Sequence, residues 1–164
     1  MPPPATSVIL NNTPLVAFWV LGRLDLLRDL YGEVSIPAAV RDEFLAVERD
    51  AREAALVGAP WIKTVTLRQP RRALVYTGLD EGEAEVLALA DEVGGLVVMD
   101  ERKGRRYAKR LGLPLTGTLG ILLFAKESGL ILSVADALTV LQAAGLWLDA
   151  SVIAEALRLS GEAA

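Results

Sequence analysis

Along the chain, short continuous apolar runs alternate with stretches in which apolar residues recur every three to four positions, the two rhythms of buried strands and of helices. Residues 7–11 read as a buried strand, closed by an Asn11-Asn12-Thr13-Pro14 turn in which Thr13 is placed as N-cap and Pro14 as the first helical residue. The helix that follows is expected to end near Gly22. Leu24, Leu27 and Tyr31 define a second short helix, and residues 34–36 a brief strand. Pro37 suits the first turn of a helix striped by Val40, Phe44 and Val47, and residues 50–57 continue helically. Residues 61–67 alternate and are β-branched, which predicts a strand, with Gln69-Pro70-Arg71-Arg72 as an exposed connection. A helix over 80–93 stops at Gly94-Gly95. Residues 96–99 then form an apolar run of the kind covered on both faces in a parallel sheet, with Asp100 at its carboxyl end. A basic helix (101–111), a short strand (113–116) and a helix (118–128) follow, and two further helices, near 134–146 and 151–159, end the chain.

This alternation predicts an α/β fold: a central parallel sheet with helices on both sides, and sites beyond the carboxyl ends of the strands. At 164 residues, without a linker or an internal repeat, the chain fits one domain. A hydrophobic share of 52% against 23% charged residues excludes a disordered chain. The longest apolar run, residues 14–22, is too short to cross a bilayer. The Met1-Pro2-Pro3-Pro4 start has no charged region before an apolar stretch, and the first basic residue is Arg23, so the expected location is cytoplasmic. The chain has no Cys and no His. Disulfides, the usual structural zinc sites, Ser-His or Cys nucleophilic machinery and imidazole acid/base work are thereby removed. Carboxylates, hydroxyls, Lys or a metal must carry any catalysis.

Three acids occupy informative positions. Glu83 heads the stripe of Val86, Leu87, Ala90 and Val93 on one helical face, although Asp80 followed three residues later by Glu83 is also a capping-box pattern, which spacing alone favours. Asp100 ends an apolar strand where α/β ligand sites lie, and it is equally placed to cap the next helix. Glu43 lies beside Val40 and Val47 and, taken alone, reads as a solvated surface acid. Taken together, each follows or faces a strand end, and such hard oxygen ligands suit Mg²⁺ or Mn²⁺. A metal of this kind activates water and stabilises charge on a transferring phosphate without His. The net charge of −4 argues against a wholly basic nucleic-acid binder, yet Arg102, Arg105, Arg106 and Lys109 share one helical face directly after Asp100. That face reads either as a phosphate track or as a solvated helix surface, and its adjacency to the acids favours the track.

The stretches VILNNTPLVAFWVLGRLDLL, EVSIPAAVRDEF, GLDEGEAEVLALA, VVMDERKGRRYAKRLGLPLTGTLGILLFAK and GLWLDASVIAEALRLSGE, in this order, resemble the PIN-domain family over nearly the whole chain, within a branch that carries an extra C-terminal helical segment. The resemblance implies a three-layer α/β/α sandwich, with residues 130–164 as the helical extension. It also implies an endoribonuclease dependent on Mg²⁺ or Mn²⁺ and acting on single-stranded RNA, of the kind found as the toxin of a toxin–antitoxin pair, with a small antitoxin as partner. By position it implies an acidic site of Asn11, Glu43, Glu83 and Asp100, with Thr118 orienting water or phosphate. Glu101 is implied as an extra ligand or as a salt-bridge partner of the basic helix. The departure is Asn11, where active relatives carry Asp: Asn offers a carbonyl oxygen without charge. That departure supports the alternative of a non-catalytic module binding RNA or protein. A nucleotide-binding regulator is a third class, for which no P-loop or GxGxxG motif follows a strand. Self-association is expected too, from apolar residues in excess of one small core and from Trp19 and Trp147 in flanking segments; PIN relatives are commonly dimers.

Overall fold

The computed structural model describes residues 7–163, so the Met1-Pro2-Pro3-Pro4 start lies outside the described residues. Five strands alternate with helices: β1 (Val8–Leu10), α1 (Asn12–Val20), α2 (Asp25–Tyr31), β2 (Val34–Pro37), α3 (Ala38–Phe44), α4 (Arg49–Val57), β3 (Ile62–Val65), a 3₁₀ segment (Pro70–Val75), α5 (Glu81–Val93), β4 (Leu96–Val98), α6 (Arg102–Arg110), β5 (Leu115–Thr116), α7 (Thr118–Glu127), α8 (Val134–Ala143) and α9 (Ala150–Leu159). All strand pairs are parallel, in the order β3-β2-β1-β4-β5, with Ile9 opposite Ser35 on one side and Val97 on the other. Helix α5 packs across β1, β2 and β4 with α6 beside it, while α7 packs with α1, α2, α8 and α9. The result is the expected three-layer α/β arrangement. Among the described residues no helix is long and apolar enough to cross a membrane.

The inner strands owe their place to unbroken burial. Val8, Ile9 and Leu10 are all buried, as are Val34, Ile36, Val97 and Val98, so a strand with either face in water would strand apolar surface there. The sheet order puts the end of β1 beside the end of β4, where the chain direction of crossovers reverses, and this is the crevice in which open α/β sheets hold ligands.

Several local expectations are corrected. Asn11, not Thr13, occupies the cap of α1, and Pro14 falls within the first turn rather than at its first position; the Thr13 hydroxyl donates instead to the distant carboxylate of Glu101. Pro37 closes β2 and precedes α3 rather than sitting inside the helix. Helix α3 stops at Phe44, so Val47 leaves the stripe and is 54% exposed; Glu48, at φ 48°, then turns the chain into α4. Val93, the last residue of α5, is exposed, beyond the reach of the core. The strands are shorter than predicted at β3 and β5, and the Gln69–Arg72 connection runs into the 3₁₀ segment. Trp19 is no flanking residue: its ring meets Phe44 edge-on at 6.0 Å and the guanidinium of buried Arg52 at 4.7 Å.

Candidate metal centre

Asn11 follows β1 and is 3% exposed, its backbone N–H donating to the Val98 carbonyl at 3.0 Å and so fixing it against the end of β4. Its Nδ2 donates to Glu101 Oε2 at 3.0 Å, and the Thr13 hydroxyl donates to Oε1 of the same carboxylate at 2.5 Å. The Oδ1 of Asn11 is buried with no hydrogen-bond partner, and so is that of Asn12. An unpartnered buried oxygen costs about 1–3 kcal/mol, so two side by side at one strand end are a strong departure from ordinary satisfaction.

Glu83 stands in the first turn of α5 and fills both roles that spacing allows. It completes a capping box, with its backbone N–H donating to Asp80 Oδ1 at 2.8 Å and its Oε2 accepting from the Asp80 N–H at 3.1 Å. It is also 9% exposed, and burial first, then the charges of Asp80, Glu101 and Glu43, push its carboxyl above the usual range against the lowering effect of the Asp80 N–H. Glu43, on α3, remains solvent-accessible and is raised likewise, by desolvation and then by Asp80 and Glu101, with the Asn12 side chain opposing. Gly82 lies where α3 and α5 meet: a Cβ at that position would stand 2.9 Å from Glu43 Oε2 and at ordinary contact distance, 3.5 Å, from Asp80 Oδ1, so a side chain there would displace the Glu43 carboxylate.

Asp100 is held from the far side of β4. Its Oδ1 accepts from the Thr118 N–H at 2.8 Å and its Oδ2 from the Thr118 hydroxyl at 2.6 Å, and Thr118 itself is 1% exposed. Burial raises the Asp100 carboxyl; the Thr118 bonds lower it, Glu101 raises it and Arg105 lowers it. Gly117 leaves room for this seat, since a Cβ there would lie 2.5 Å from Asp100 Oδ1. The cap of α6 is Glu101 rather than Asp100.

A family model described as PIN domain matches residues 7–162. The chain belongs to the PIN-domain family. The match runs through α8 and α9, and the PIN domain is a nuclease-type fold. Among curated proteins none matches the chain.

In this PIN domain the sheet edge gathers Asn11, Glu101, Glu83 and Glu43 into one electrostatic cluster, and Asp100 joins through Glu101. Among the described residues no three acidic side chains stand at metal-binding spacing, so an ion would have to draw them inward. The chemistry of the donors suits a hard divalent cation: carboxylates raised by desolvation first and by neighbouring acids second, and a buried amide oxygen on Asn11 that no protein group uses. Asp80 is the residue that sequence reasoning left out. From the sequence it is an ordinary cap; its charge on Glu43 appears only once α3 and α5 are packed together.

The basic helix divides. Arg102, Arg106 and Lys109 are exposed on one face of α6, as expected, and Arg105 bends back to donate to the Met99 carbonyl at 2.8 Å. Glu101 makes none of the salt bridges found among the described residues; it faces Asn11 and Thr13 instead of the basic helix. The four cations and Asp100 line a cleft of about 600 Å³ whose opposite wall is the segment joining α8 to α9. Glu43, Glu83 and Asn11 do not line it.

Proposed function

We propose that this PIN domain is an Mg²⁺- or Mn²⁺-dependent endoribonuclease of the cytoplasm that cuts single-stranded RNA. The observation that carries the reading is the buried side chain of Asn11 at the strand end, its Oδ1 unpartnered and its Nδ2 on Glu101, next to Glu43 and Glu83, whose carboxyls are raised by desolvation first and then by neighbouring acids. Glu83 and Asp100 would hold the metal, with Glu43 and Asn11 directly or through water. When bound, the ion supplies an activated water and charge to stabilise the phosphate undergoing displacement. Thr118 positions Asp100 through two hydrogen bonds, and Glu101 positions Asn11. Arg102, Arg106 and Lys109 take the flanking phosphates, and Arg105 steadies the chain between β4 and α6 while reaching the cleft.

The test is cleavage of single-stranded RNA with Mn²⁺ by wild type, Asn11→Asp and Asp100→Asn prepared in parallel. Asn11→Asp is expected to tighten metal binding and raise activity at least tenfold, and Asp100→Asn to abolish it, because each changes the ligand charge by one. Asn11 also supports the second reading, a non-catalytic module binding RNA or protein: its amide uses the Glu101 carboxylate as a hydrogen-bond acceptor, which an Asp would not. RNA bound but left uncut by both wild type and Asn11→Asp decides for that module. Assembly with a small antitoxin and with a second copy belongs to the same proposal, supported by exposed Leu74, Val75 and Leu132.

A further inference from the structure

Between α8 and α9 the chain leaves Trp147 94% exposed. A large ring gains nothing from that position by packing, and solvated aromatics of this kind mark contact surfaces. The surroundings define which contact. Trp147 lines the same cleft as Asp100, Arg102, Arg105, Arg106 and Lys109. The one acid on its own wall, Asp149, is occupied by the Ser151 N–H at 2.8 Å and the Ser151 hydroxyl at 2.5 Å. Those bonds hold Asp149 below the usual aspartate range, with a smaller contribution from the Arg102 charge, and the α8–α9 segment shares the cleft with the basic helix. One side of the cleft is thus cationic at helical spacing and the other ends in a free indole face.

We propose that Trp147 is a stacking platform for an unpaired nucleobase of single-stranded RNA, whose neighbouring phosphates lie along Arg102, Arg106 and Lys109 and whose strand continues past Asp100. This rests on the RNA-directed reading above and adds to it the group that receives a base. Single-stranded nucleic acids are held by this pairing of a positive groove with an aromatic face, and a duplex, whose bases are already stacked on one another, has no ring to offer. The volume of about 600 Å³ falls within the range of ligand pockets, roughly 300–1,000 Å³. Charge disfavours a second copy as occupant, since four cationic side chains line the cleft with Trp147 where an interface core is depleted of charge.

The experiment measures binding of a labelled single-stranded oligoribonucleotide in EDTA, so that affinity is read without cutting, for wild type, Trp147→Ala and Trp147→Phe. An abasic strand of equal phosphate count serves as the second ligand. Trp147→Ala is expected to weaken the base-bearing strand about tenfold, with the dependence on salt unchanged, and Trp147→Phe to restore most of the loss. The abasic strand is expected to bind wild type and Trp147→Ala alike. Equal affinity of wild type and Trp147→Ala for the base-bearing strand overturns the platform, as does an equal loss on the abasic strand. So does a fall in oligomeric mass on Trp147→Ala with RNA binding intact, which assigns the ring to a contact between copies. The nuclease reading stands apart: undiminished cutting and affinity in Trp147→Ala sink the platform alone, and Trp147-dependent binding with no cutting in Mn²⁺ sinks the nuclease alone.

Discussion

Glu43 shows how a single side chain reports on its neighbourhood. Because desolvation and two nearby acids raise its folded-state carboxyl above the ordinary value, the folded protein binds that proton more tightly than the unfolded chain does. Stability from this group is therefore present below the ordinary glutamate range and is lost as pH rises through the raised value. Glu43→Gln keeps the shape and removes the charge. In EDTA its melting temperature is expected to exceed that of wild type at neutral pH, with the difference shrinking as pH falls into the glutamate range. Mn²⁺ is expected to raise the melting temperature of wild type more than that of the variant. A pH-independent difference, or equal stabilisation by Mn²⁺, would show that Glu43 stands outside the cluster. At this scale the sequence was half legible. Glu83, Asp100 and Glu43 announced themselves through strand ends and periodicity. Gly82, which leaves room for the Glu43 carboxylate, looks in the sequence like a weak point in a helix, because the clearance it provides belongs to another element.

Among the elements, α8 and α9 depend on one carboxylate. Glu162 accepts from the Ser133 hydroxyl at 2.7 Å, from the N–H groups of Val134 at 2.8 Å and Ala135 at 3.1 Å, and from Lys126 Nζ at 2.9 Å. It thereby neutralises the N-terminus of α8 and ties the chain beyond α9 to α7. The Ser133 hydroxyl first, with the backbone donors and Lys126, holds Glu162 far below the usual carboxylate range. Its contribution is present above the ordinary glutamate range and lost as pH falls through the depressed one. Glu162→Ala is expected to cost about 2 kcal/mol at neutral pH, seen in chemical denaturation, and to speed hydrogen exchange in α9. Unchanged exchange there would mean that apolar packing alone holds the extension. The sequence revealed both helices through their periodicity, and α5 through its capping box. It could not reveal this clasp, because a Glu after the last helical turn carries no local signal of the donors it meets 27–29 residues earlier. The same distance effect ended α3 early: the Val47 stripe satisfied helical spacing, but no facing element covers it.

For the molecule as a whole, the alternation of elements sufficed to predict a parallel sheet, since parallel neighbours need crossovers and buried strands need continuous apolar runs. Strand order was not legible. It depends on which crossover runs which way, and only the right-handed packing of helices on a complete sheet settles it. The outcome puts β1 in the middle, paired with β4, and makes the Asn11–Glu101 hydrogen bond span 90 residues of chain. A sheet whose central pair is so distant in sequence must offset the entropy of closing the loop between its strands. The acidic cluster is correspondingly bipartite: Asn11 and Glu43 precede the exposed 3₁₀ segment at Pro70–Val75, and Glu83, Asp100, Glu101 and the cationic helix follow it. A chain interrupted in that segment would carry half of the cluster on each piece, which makes this the natural place to split the protein into complementing fragments whose reassembly rebuilds the cluster.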